Sequence, residues 1–297
     1  MNLFSIDNFQ IDNFQFNCIK NVKNEYIDIH TSTKKYDYYT DNVNNVDNIN
    51  TNYFLLFETC FDSAFGHWVY ESAIFLPLYK KIKEQFHDKK IKILVKKNPA
   101  RKYKKLFFDA LDITEEDIYY IDNKIINSDN VCYDIIPINN YCITSVNYCL
   151  TNKTYSNDDM NKYKSLLLNF KTHVLSNINF DSNKKIQNLF LPRNKVENYV
   201  PNDRKINYVK IYKILETKQY IEYDTAETNK LCDQIQLVLS SENIYLDYGS
   251  SFYVNGFFCK NSTIYVINYD NNQFVTYPLF YLIYKIMIEE KNNIIHM

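Results

Sequence analysis

His67 stands directly after one of only three glycines in 297 residues and directly before the only tryptophan, in the segment CFDSAFGHWVYES (Cys60–Ser72). At the usual roughly 7%, about twenty glycines belong in a chain of this length, so each one kept marks a place of positive φ or close approach. Glu71 follows His67 at i+4, on the same helical face and within reach of the imidazole. A histidine oriented by a carboxylate suits a general base near neutral pH, and Asp62 is a further carboxylate in the same segment. The same residues also fit a surface His–Glu pair, or a histidine packed beside Trp68.

The other two glycines, Gly249 and Gly256, both fall in DYGSSFYVNGFF. Gly249 permits a tight turn after a strand. Ser250 and Ser251 can cap the helix that follows, and the free backbone N–H groups there make an anion site suited to a phosphate. Neither G-x-G-x-x-G nor G-K-[ST] occurs, so neither a dinucleotide nor an NTPase reading is supported. Arginine is as sparing as glycine: Arg101, Arg193 and Arg204 are the three among 34 basic residues, two of them in PRNKVENYVPNDR. That economy points to positions lysine cannot fill, such as bidentate phosphate contact; ordinary surface arginines remain the alternative.

These residues sit in strand–helix alternation. YFLLFE, KIKILVKK, DIYYID and VCYDIIPI read as strands, and Trp68–Phe86, Ala100–Leu111 and Asp158–Ser176 as helices. The first fifty residues are polar and Asn-rich, with 41–52 a loop by composition. After the polar stretch Asn177–Lys185 a second series begins. Its strands are IQNLFLPR, QYIEYD, NIYLDYG and STIYVIN; its helices are Ile206–Thr217, Ala226–Ser241, Ser251–Cys259 and Thr276–Glu290. Alternation at this spacing implies right-handed βαβ units and parallel sheets. The expected fold class is therefore α/β, with two Rossmann-like domains facing a cleft. The expected parts are a polar segment 1–50 joined to a first domain over 51–178, and a second domain over 179–297.

Net charge is −1, which removes the electrostatic footprint of a nucleic-acid or anionic-membrane binder. Seven cysteines without C-x-x-C spacing read as reduced thiols. The N-terminus has neither a basic nor an apolar leader region, and the longest apolar run, YPLFYLIYKIMI, breaks at Lys285 short of the ~20 residues a span needs. A soluble, cytoplasmic protein is expected.

The order GHWVYE, then LFLPRNKVENYVPNDRKI, then CDQIQLVLSSENIYLDYGSSFYVNGFFCKNSTIYVI resembles glycosyltransferase family 61, the capsular-polysaccharide-biosynthesis type. That family shows an early His-x3-Glu, a strand ending in Arg with a second basic residue after it, and a helix glutamine before a Gly-centred loop with Asn. The resemblance spans roughly residues 53–290 and rests on these three blocks. It implies a GT-B type fold and inverting transfer from a nucleoside-diphosphate sugar to a hydroxyl of a glycan or glycoprotein, with no cofactor and no metal. The absence of any D-x-D agrees with this. Carried over, His67 and Glu71 match the early motif and Arg193 the strand-end arginine, with Arg204 beyond it. Gln234 matches the helix glutamine; Gly249, Ser250, Ser251 and Asn255 match the loop. Many relatives have a histidine before the loop glycine, where this chain has Tyr248. The first domain becomes the acceptor side and the second the nucleotide-sugar side. The Asn-, Ile-, Lys- and Tyr-rich composition fits a soluble copy from an A+T-rich genome, such as that of a large virus of protists, acting in the host cytoplasm. The alternative is a catalytically inactive glycan-binding or scaffold protein that retains the fold, for which Tyr248 and the 28 tyrosines speak. A serine hydrolase using Ser250 or Ser251 lacks the G-x-S-x-G elbow.

Overall fold

A computed structural model of the chain describes residues 9–11, 14–26, 47–49, 53–56, 65–71, 73–87, 91–96, 103–121, 125–134, 157–178, 180, 185–192, 208–223, 231–267 and 278–297. The chain divides into two compact units, Met1–His173 and Val174–Met297.

In the first unit, β4 (Tyr53–Leu56), β5 (Ile91–Lys96), β6 (Ile118–Ile121) and β7 (Ile125–Asp134) pair in parallel, in the order β7-β4-β5-β6. The first of these strands lies inside, the next two build outward on one side, and the last is added on the other. The order of winding thus reverses between β4 and β7. Beyond β7 the sheet becomes mixed. β1 (Phe9–Ile11) and β2 (Phe14–Tyr26) add antiparallel, and β3 (Asp47–Ile49) pairs with β7 in parallel. β1 and β2 lie in the polar segment 1–50, for which no strand was expected, and β3 corrects the expectation of a loop at 47–49. FQFNCI alternates apolar and polar residues, and the long β7 offers it a ladder; composition alone does not register a partner.

The helix expected over Trp68–Phe86 is two helices. α1 (Phe65–Glu71) is followed by a 3-10 turn at Ala73–Phe75 and then by α2 (Leu76–Gln85). Pro77 sits in the first turn of α2, where its missing N–H costs nothing; inside one continuous helix it would break the backbone ladder. α1 is seated by Trp68, whose indole meets Tyr103, Phe107 and Phe108 of α3 (Tyr103–Ala110) edge-on at 5.7, 5.8 and 6.0 Å. Phe107 stacks in turn on Phe170 of α4 (Asn157–Ser176), 6.0 Å away, and the Tyr163 hydroxyl of α4 donates to the Tyr70 carbonyl. The division between the units falls within α4.

In the second unit, β8 (Ile186–Leu191), β9 (Ile221–Glu222), β10 (Ser241–Asp247), β11 (Thr263–Ile267) and β12 (Asn293–His296) form an all-parallel sheet in the order β12-β11-β10-β8-β9. In chain order this is 2-1-3-4-5, one of the two common doubly wound arrangements. The connecting helices are α5 (Val209–Leu215), α6 (Leu231–Leu239), α7 (Ser250–Phe258) and α8 (Pro278–Glu289). Phe190 and Tyr245 face α5, in a core with Tyr208, Ile211, Leu215 and Ile267. Their strand neighbours Leu189, Leu191, Ile244 and Leu246 are fully buried on the other face, where α6 and α7 touch β8 and β10. Helices therefore cover both faces. β12 was not legible as a strand. It is set by the turn after α8, where Asn292 donates to the carbonyls of Cys259 (3.0 Å) and Met287 (2.9 Å) and accepts from Ser262 N–H (3.0 Å). Among the described residues no helix is long and apolar enough to cross a membrane.

The first unit also holds a carboxylate that ties a 3-10 turn to α2. Asp117, ending a 3-10 turn capped by Thr114, accepts from Lys83 Nζ (2.6 Å), Tyr79 Oη (2.9 Å), Thr114 N–H (3.0 Å) and Thr114 Oγ1 (2.9 Å). Burial pushes its pKa up, but the Lys83 ammonium and the Thr114 and Tyr79 donors outweigh this and hold it at about 2, below the ordinary 3.8. A depressed carboxyl stabilises the fold above its unfolded pKa and loses that contribution as pH falls from about 4 towards 2. After discounting for partial exposure, Asp117→Asn is expected to cost about 1 kcal/mol at pH 7 and little at pH 2.5. Urea midpoints of both proteins at the two pH values check this; a gap that stays constant with pH contradicts it.

Candidate functional site

Open parallel sheets take ligands outside the carboxyl ends of their strands, at the point where the winding reverses. In the second unit that point lies between β8 and β10. β8 feeds the helix on one face, α5, and β10 feeds α7 on the other.

β10 ends in Asp247, and the chain then turns through Tyr248 and Gly249 into α7. Tyr248 still donates its N–H to Ile267 O (2.9 Å), extending the ladder with β11 by one bond. Gly249 has φ 110° and ψ −143°, a conformation closed to residues with a Cβ, and it is the N-cap of α7. Ser250 and Ser251 are therefore the first helical residues and not the caps expected of them, and no side chain caps the helix start. The first-turn N–H groups point out of the helix with its positive dipole end, which is the physical requirement for holding an anion.

Behind this turn lies a buried amide pair. Gln234 of α6 donates to Asn255 Oδ1 of α7, and Asn255 Nδ2 donates to Ser251 O at 3.0 Å and approaches Ser251 Oγ at 3.4 Å. With Gln234 only 5% and Asn255 only 3% exposed, the pair braces the first turn of α7 against α6. On the same side, the Tyr248 ring lies 5.9 Å from Tyr253 with the two hydroxyls 3.4 Å apart, and Tyr253 stacks on Phe280 at 4.3 Å. On the α5 side, the Tyr208 hydroxyl donates to the Asp247 carboxylate, which is 1% exposed.

Gly256 does not belong to this turn. It lies within α7, and a Cβ there would meet Met287 Sδ at 3.0 Å and Cε at 3.1 Å. It is kept so that α8 can lie close. Gly66 is also helical: it is buried in the first turn of α1, and Gly249 alone has positive φ among the described glycines. Positive φ, one of the two reasons its scarcity offered, is thereby corrected for Gly66. His67 and Glu71 occupy α1 positions one turn apart, and their side chains lie outside the described residues, as do Asp62, Arg193 and Arg204. Arg193 follows the buried Pro192 at the end of β8. Among the described residues, no three His, Cys, Asp or Glu side chains converge in a way that would hold a metal ion.

Asp247 and Tyr208 were not singled out from the sequence. The available signal was a carboxylate closing an otherwise apolar strand, NIYLD, directly before a glycine turn. No protein-family model matches the chain, and no curated protein matches it either.

The two glycines of the second unit should separate under the same substitution. Gly249→Ala forces a Cβ into positive φ and should cost about 1–3 kcal/mol. Gly256→Ala gains about 1 kcal/mol of helix propensity, which crowding against the flexible Met287 offsets, leaving a net change near zero. Urea unfolding of both variants tests this, and equal losses would refute the assignment of separate roles.

Proposed function

We propose that the chain is a metal-independent glycosyltransferase of GT-B type, acting in the cytoplasm. It moves a sugar, with inversion, from a nucleoside-diphosphate sugar to a hydroxyl of a glycan or glycoprotein. In this reading 51–178 forms the acceptor-side domain and 179–297 the nucleotide-sugar domain. The observation that carries it is the reversal point between β8 and β10. There the glycine-capped N-terminus of α7 and the strand end that precedes Arg193 meet in one sheet.

The chemistry assigns each residue a task. The acceptor oxygen attacks the anomeric carbon and gives its proton to His67, which Glu71 orients, with Asp62 the nearest other carboxylate in sequence. The bond from the anomeric carbon to the diphosphate oxygen breaks with inversion. The charge left on the nucleoside diphosphate is met by Arg193, Arg204 and the N–H groups of Gly249, Ser250 and Ser251. Gln234 and Asn255 hold that turn from behind. A second reading, a fold-retaining binder without turnover, is favoured by Tyr248, whose hydroxyl lies against that of Tyr253 where many members of the resembled family have a histidine.

Calorimetric titration with UDP, GDP and their sugars, followed by a donor-hydrolysis assay, tests both readings. Donor binding with turnover supports the transferase, binding without turnover on any acceptor supports the inactive glycan-binding or scaffold protein, and no donor binding removes the transferase. Arg193→Ala should weaken UDP or GDP binding by about 1.5–3 kcal/mol, the worth of a hydrogen bond to a charged group. His67→Ala should leave donor affinity intact and lower turnover by ~10²–10⁴, with a smaller loss for Glu71→Gln. Unchanged turnover in a folded His67→Ala protein would remove His67 as the base.

A further inference from the structure

Tyr208 and Asp247 have no task in the chemistry above, yet their buried side-chain bond crosses the reversal at the end nearest the Gly249 turn. Asp247 is a carboxylate almost wholly inside the protein, two residues before the glycine that caps α7. A negative charge there is unfavourable twice over: it is removed from water, and it repels any anion held at Gly249. A core needing only bulk would be served by an apolar residue.

The bond's position explains its presence. Tyr208 is the residue from which α5 starts, and its ring is fixed edge-on to Phe190 of β8 at 5.5 Å and to Tyr212 at 6.3 Å. Asp247 is the last residue of β10. The β8–β10 pairing runs only to Leu191 and Leu246, so the Tyr208–Asp247 bond extends the tie between the two sides one residue further, to the edge of the Gly249 turn. A glycine at positive φ has no side chain to hold it. The turn takes its position from the residues before and after it. Asn255 holds the side after it; the side before it is held to β11 by the Tyr248 N–H and to α5 by Asp247 through Tyr208.

We propose that Tyr208 is a positioning residue for the anion-binding turn at Gly249, acting through the Asp247 carboxylate. The proposal builds on the nucleotide-site reading, but half of its test does not depend on any nucleotide.

That half is amide hydrogen exchange in Tyr208→Phe, with Tyr212→Phe as the control. Tyr212 belongs to the same aromatic cluster, but its hydroxyl lies 3.3 Å from Glu222, away from the turn. In Tyr208→Phe, exchange at residues 249–252 should quicken about tenfold while the rest of the second unit stays at its wild-type rates. The control should leave the turn unchanged. Unchanged exchange at 249–252, or an equal acceleration throughout the unit, overturns the proposal, the latter by showing a merely structural bond.

The other half titrates UDP and GDP. Tyr208→Phe, which removes the bond and leaves the charge, should weaken binding about tenfold. Asp247→Asn, which leaves an oxygen acceptor and removes the charge, should bind at least as tightly as wild type. Wild-type affinity in Tyr208→Phe overturns the proposal. Failure of the wild-type protein to bind either nucleotide refutes the nucleotide reading alone, because the exchange result still decides whether Tyr208 positions the turn.

Discussion

Parallel strands cannot be joined by a tight turn. Each must be left at its carboxyl end and re-entered at the opposite edge through a crossover. In the second unit β8, β10 and β11 all have parallel neighbours on both sides, and β10 is the central strand of the five. Its two faces are closed by different helices. Tyr245 is buried beneath α5, while Ile244 and Leu246 are buried towards α6 and α7. With the helices divided in this way, the chain leaves β8 for one face and β10 for the other. A gap between adjacent strand ends then follows from the topology before any residue is chosen to line it. The glycine cap, the buried amide pair and the Tyr208–Asp247 bond are all fittings around that gap.

The glycines show how far composition carries an argument about a site. Scarcity marked Gly249 and Gly256 correctly, but for different reasons. Gly249 answers a demand of the backbone and Gly256 a demand of the neighbouring helix, while Gly66 is a buried helical residue without positive φ. Nothing in the local sequence separates a glycine kept for its φ from one kept for its missing Cβ. The distinction appears only when Met287, thirty-one positions further along (287 − 256), is seen against α7.

The same limit accounts for what was and was not legible elsewhere. The helix–strand alternation of the second unit was readable because its strands are continuous apolar runs and its helices are amphipathic. β9 is a strand only by virtue of β8: it is two residues long, both exposed. β12 depends on the side chain of Asn292, β2 and β3 on the length of β7, and β1 on β2. At the site, Gly249, Ser251, Gln234 and Asn255 were named from the sequence and lie together. Asp247 was passed over because its partner is 39 residues away. A carboxylate is read as a surface residue until the residue that satisfies it is known. Pro77 shows the converse, a local signal that was present and outweighed by the apolar periodicity around it.

The register of β8 also bears on the order in which the second unit assembles. Ile186 pairs with Ser241, so a sequence separation of 55 (241 − 186) must be closed before the first rung of the central ladder can form. Until β10 emerges, the mate of β8 among the described residues is β9, which offers two rungs. During synthesis β8 therefore waits with Leu189 and Leu191, on the face away from α5, uncovered; both end fully buried. Pairings of such long sequence separation form slowly and leave sticky intermediates. The strand that later forms one wall of the gap is, for that interval, the segment most in need of a chaperone.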